Sequence, residues 1–105
     1  MLVQVNTDNR IEGSAGMNEA IEARVRERLA RFGDRLTRVE VHVRDVDGHR
    51  NGGSGIEASV ELRPAGGQPQ TATDSSNTPD AAVSGALRKA IDVADRIFAK
   101  QDAVR

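Results

Sequence analysis

The sequence predicts an α+β domain in which two helices cover one face of a four-stranded sheet, in the order β-α-β-β-β-α. Three observations predict it. Val3 and Val5, then Val39, Val41 and Val43, then Ile56, Ala58, Val60 and Leu62 alternate with polar residues, the period-2 pattern of half-buried strands. After the first and third of these runs, apolar residues switch to three- and four-residue spacing, the pattern of amphipathic helices. One-sided elements need a shared core, and two helices on one sheet face supply it while leaving the other face wet.

The first strand spans about residues 1–7, with Val3 and Val5 inward and Gln4 and Asn6 outward. Turn and cap formers follow from Asp8 to Gly16, with Ser14 as the expected N-cap. Met17, Ile21, Val25, Leu29 and Phe32 then mark a helix of about four turns that Gly33 closes. The second strand presents Arg38, Glu40, His42 and Arg44 outward, and the glycine-rich stretch Asp45–Gly55 connects it to the third. Gly66-Gly67 makes a second tight connection to a polar fourth strand over Gln70–Asp74, carried by Thr71 and Thr73. Thr78-Pro79-Asp80 opens the last helix, because Thr caps well, Pro is preorganised at the first helical position and Asp favours the positive dipole end. Val83, Leu87, Ala90, Ile91, Ala94, Ile97, Phe98 and Gln101 form its stripe, to about Lys100. The 105 residues make a single domain with a core over residues 1–101.

Composition excludes several functions. With no cysteine, there is no disulfide framework, thiol nucleophile or thiolate zinc site. The two aromatic residues, Phe32 and Phe98, are too few for a base-stacking platform. Neither a signal-peptide-length apolar run nor a membrane-length one occurs, so a cytoplasmic protein is expected. Of the two histidines, His42 reads as a solvated strand residue. The segment Asp45–His49 fails as an EF-hand, because Ile56 stands where the bidentate Glu belongs. Gly52–Gly55 precedes a strand where a phosphate loop should open a helix, and no G-x-S-x-G elbow occurs. We therefore expect no enzyme, cofactor, metal or small-molecule substrate.

Charge is more informative. The net value is −1, yet residues 24–44 carry seven arginines against three acids, and residues 88–105 carry five basic residues against three. Arginine supplies 13 of the 15 basic residues, and its planar fork suits bidentate phosphate contacts. At about 100° per residue, Arg24, Arg28, Arg31 and Arg35 fall along one flank of the first helix's apolar stripe. In the second helix Lys89, Arg96 and Lys100 share one flank, Asp95 and Asp102 take the other, and Asp92 interrupts the cationic side. Glu27 with Arg31 and Asp92 with Arg96 have the spacing of ion pairs within a helix. Segregated cations of this kind suit a polyanion even on a near-neutral protein.

Beyond these patterns, the opening Val3-Gln4-Val5-Asn6 carries a resemblance, as do Phe32-Gly33-Asp34-Arg35-Leu36 before Val39-Glu40-Val41-His42-Val43 and Asp80-Ala81-Ala82-Val83 at the last helix. Together with the element order, the chain resembles the ribosome hibernation promoting factors, also called ribosomal subunit interface or sigma-54 modulation proteins, over roughly residues 1–101. The resemblance implies a fold like a double-stranded-RNA-binding domain, and a non-enzymatic role in stressed or stationary cells. There the protein would bind small-subunit rRNA and occlude the mRNA and tRNA channel. It implies the short form, without a C-terminal dimerisation domain. Arg24, Lys89 and Arg96 match the family's basic helix positions, whereas Asp80 and Asp92 depart from its pattern. The candidate rRNA contacts are Arg24, Arg28, Arg31, Arg35, Arg38, Arg44, Lys89, Arg96 and Lys100. The alternative reading is a protein-interaction module with little RNA affinity that forms a weak homodimer through the polar edge of its fourth strand.

Overall fold

In a computed structural model, residues 1–8, 10–11, 14–46 and 55–103 are described, residues 14 and 15 by backbone alone. The elements are β1 (Leu2–Thr7), α1 (Ser14–Leu29), a 3₁₀ segment (Ala30–Arg35), β2 (Leu36–Asp45), β3 (Ile56–Pro64), β4 (Gln70–Ser76) and α2 (Pro79–Ala103). The expected order holds, and the strands stand in the sheet as β1-β2-β3-β4. β1 pairs parallel with β2, and the other two pairings are antiparallel. A parallel pair needs a crossover, which α1 provides; antiparallel neighbours need only turns.

Register confirms the alternation. Val3, Val39 and Leu62 line up across three strands, as do Val41, Val60 and Ala72 across the last three. All of these residues are buried, under Ile21, Val25 and Leu29 of α1 and Val83, Leu87, Ala90 and Ala94 of α2. The opposite face carries Gln4, Glu40, Glu61 and Thr71 in one row and Asn6, His42, Ser59 and Thr73 in the next.

Four details differ from the expectation. α1 stops at Leu29 and the chain tightens into 3₁₀ turns through Phe32, with Gly33 at φ 54°, a conformation that glycine adopts without a Cβ penalty. β2 begins at Leu36, with an irregular register between Leu36 and Arg38 that lets Leu36 stay buried. β4 reaches Ser76, and α2 reaches Ala103. The cap at Thr78 forms as expected: its Oγ1 accepts the Ala81 N–H at 3.2 Å. The expected cap at Ser14 rests on a side chain outside the described residues. So do Asp47, His49 and most of the glycine-rich connection, whose described ends join through Val46 N–H donating to Gly55 O at 2.7 Å.

Because β1, β2 and β4 run the same way and each helix turns back on the strand before it, the two helices run parallel to each other. Lys89 of α2 donates to the Thr73 carbonyl of β4 at 3.2 Å.

Candidate nucleic-acid interface

Seven of the nine candidate residues lie on the helix layer, and Arg38 and Arg44 lie on the opposite, wet face of the sheet. They therefore do not make one surface. On the wet face Glu40 organises the charges: it receives Arg38 Nε at 2.8 Å and Arg63 at 3.2 Å, with His42 Nε2 at 3.6 Å. Its carboxylate is only 16% exposed. Burial pushes the Glu40 carboxyl up, but the Arg38 hydrogen bond and the charges of Arg38, Arg63 and His42 outweigh it and hold the group below its usual range. Arg44 pairs with Glu57, and Arg63 also holds Glu61. Glu40, two residues along the same strand, and Glu57, on the neighbouring strand, thus neutralise Arg38 and Arg44.

On the helix layer the flank assignments read from sequence are right for each helix, and tertiary packing turns them toward each other. The arginine flank of α1 and the 3₁₀ segment faces the aspartate flank of α2. Arg24 pairs with Asp80 and donates to Ser84 Oγ at 3.0 Å. Arg31 grips Asp95 with both terminal nitrogens, at 2.9 and 3.0 Å. Arg35 grips Asp102 the same way, at 3.1 and 3.4 Å. The two guanidinium groups also lie over aromatic rings, Arg31 4.4 Å above Phe32 and Arg35 4.2 Å above Phe98. The rings themselves touch, with centroids 5.4 Å apart. The Arg31 hydrogen bond lowers the Asp95 pKa.

Two expected pairs are corrected. Arg31 reaches Asp95 across the interhelical gap instead of Glu27 on its own helix, and Arg96 is not within ion-pair distance of Asp92. The pair that does form within α1 is Glu22 with Arg26 at 3.1 Å, which the sequence reading missed although its spacing is the favourable one. Lys89, the third α2 candidate, is held by Asp74 at 3.4 Å.

Six of the nine candidates therefore already have a carboxylate partner. Among the described residues Arg28, Arg96 and Lys100 have none within ion-pair distance, and neither does Arg88, which was not among the candidates and whose charge acts on Asp74 from farther away. Its signal was available: Arg88 stands eight positions before Arg96 on the outer face of α2.

Among the described residues no three His, Asp or Glu side chains gather in a metal-holding group. A cavity of about 410 Å³ opens at the end of the sheet, lined by Ile11, Met17, Ile56 and Pro79 among others. His42 stands away from it on the wet face. Nor, among the described residues, is any helix long and apolar enough to cross a membrane.

The fold and its charges define a class: a two-layer α+β domain whose helix layer carries most of the candidate cations. Comparison with known proteins then assigns the family. Residues 3–101 match the family model described as sigma 54 modulation protein / S30EA ribosomal protein, and the chain belongs to that family. A ribosomal subunit interface protein from Coxiella burnetii has a similar structure, with a TM-score of 0.73 at 13% identity over 94% of this chain and 99% of that one. The N-terminal domain of Thermus thermophilus Protein Y gives 0.71 at 16% identity over 92% and 99%. No curated protein matched in sequence.

Proposed function

We propose that this protein is a ribosome-associated hibernation factor of the cytoplasm. It binds small-subunit rRNA under stress or in stationary phase and inhibits translation by filling the mRNA and tRNA channel. The family match over residues 3–101 carries the reading. Its support in the molecule is the set of cations on the helix layer with no internal carboxylate: Arg28, Arg88, Arg96 and Lys100. These are the groups able to take phosphates without breaking an ion pair, and Arg24, Arg31, Arg35 and Lys89 adjoin them. Arg38 and Arg44 belong to a second, neutralised face and contribute least.

Cosedimentation with purified small subunits across a salt series tests this. Binding should weaken steeply with salt, and replacing Arg96 and Lys100 together by Ala should lower both the affinity and the salt slope, the slope by about 0.9 for each phosphate no longer neutralised. No binding at low salt refutes it. The alternative is a dimerisation module that uses the polar edge strand β4, where Lys89 donates to the Thr73 carbonyl. A stable dimer by light scattering without ribosome affinity would support it.

A further inference from the structure

We infer that Asp95 and Asp102 are built-in phosphate surrogates that hold Arg31 and Arg35 in the geometry of an RNA contact and set the affinity for structured RNA by competing with it. The inference rests on the proposed RNA-binding role and goes beyond it by assigning carboxylates, not cations, as the residues that tune binding.

Three observations carry it. First, both pairs are two-point contacts of a guanidinium fork with two oxygens, at 2.9 and 3.0 Å for Asp95 and 3.1 and 3.4 Å for Asp102. A phosphodiester offers the same two-oxygen edge, so either anion can occupy the fork but not both. Second, all four side chains are 41–58% exposed, so the pairs stand in high dielectric where exchange for an incoming anion is inexpensive. Third, the guanidinium planes are held from beneath by Phe32 and Phe98, independently of the aspartates. Release of the carboxylate therefore leaves each ring contact in place, with the Arg31 fork open and Arg35 Nη2 still donating to Gln101 Oε1 at 3.3 Å and the Phe98 carbonyl at 3.5 Å.

Such a device favours dense phosphate arrays. A single phosphate gains little by displacing a carboxylate that is already tethered nearby, whereas a folded RNA presenting several phosphates at once, anchored by Arg28, Arg88, Arg96 and Lys100, can displace both. The near-neutral charge then limits adventitious RNA binding without removing the interface.

The test replaces Asp95, Asp102 or both by Asn and measures affinity for purified small ribosomal subunits and for a 20-base-pair RNA duplex across a salt series. Each freed arginine that gains a phosphate should steepen the salt slope by up to about 0.9 and tighten binding up to about eightfold near 0.1 M salt. Asp92→Asn is the control: it makes the same charge change on the same helix but frees no arginine, so screening should keep its effect below about twofold. Arg31→Gln introduced into the Asp95→Asn variant should erase that variant's gain. If Asp95→Asn and Asp102→Asn bind no more tightly than Asp92→Asn while replacement of Arg96 and Lys100 weakens binding, the inference fails and the proposed function stands. If the natural protein and all variants fail to bind subunits at low salt, both fail.

Discussion

Gly85 is a small residue in the middle of α2, where replacing glycine by alanine ordinarily stabilises a helix by about 1 kcal/mol. Here the opposite is expected. A Cβ at Gly85 would overlap Asp74 Oδ2, lie 2.7 Å from its Cγ and 3.2 Å from its Cβ. Rotating the carboxylate relieves the first overlap only in part, because Asp74 Cβ is fixed by the strand and Oδ1 is already tied to the Ser75 N–H at 2.9 Å and to Lys89. Forcing a methyl into such a space costs about 1–3 kcal/mol, so the gain in propensity is cancelled or exceeded and Gly85→Ala should destabilise by up to about 2 kcal/mol. For a domain of this size that is a fall in melting temperature of up to about 8–16 °C. Urea unfolding followed by circular dichroism measures it, with the midpoint moving at constant slope. The same substitution made in an Asp74→Ala background meets no carboxylate and keeps only the Cβ contact at 3.2 Å, so it should cost less than in the natural background. A natural-background Gly85→Ala protein more stable than its parent, or an equal effect in both backgrounds, would refute the close approach of α2 to β4.

Three further outcomes are expected. Phe98→Ala removes a ring only 4% exposed that packs on Phe32 and supports Arg35, and it should cost about 3–5 kcal/mol by urea denaturation. Thr78→Ala deletes the Oγ1 acceptor for the Ala81 N–H and should cost about 1 kcal/mol, largely restored in Thr78→Ser. Asp8, Glu40, Asp74 and Asp95 all titrate below their ordinary values of 3.8 for Asp and 4.5 for Glu, so the unfolded chain binds protons first as pH falls. Their contribution to stability is therefore present above these ordinary values and is lost progressively as pH falls through them toward the lowered folded values, and urea midpoints measured from pH 6 to 3 should fall with pH, less steeply in Asp95→Asn.

Local chemistry determined the elements. Valine alternation, the three- and four-residue stripes and the Thr78-Pro79 start are properties of neighbours in the chain, and each led to the right strand or helix and the right buried face. Ends were less legible: the buried Leu36 extends β2, and Phe32 is drawn into the core through a tightened turn, both because of partners distant in sequence. The sorting of charge around each helix was also readable, since it depends only on 100° per residue.

What each charge does was decided by packing. Parallel helices on one sheet face bring the arginine flank of one against the aspartate flank of the other, joining Arg31 to Asp95 and Arg35 to Asp102 across more than 60 residues of chain. Sheet pairing likewise hands Arg44 to Glu57 and brings Arg63 to Glu40, which already holds Arg38 two residues along its own strand. A helical wheel gives the angle of a side chain but not the identity of what stands opposite. Ion pairing falls off within a few ångströms, so that identity settles which helix-layer cations among the described residues are left outside an ion pair: Arg28, Arg88, Arg96 and Lys100.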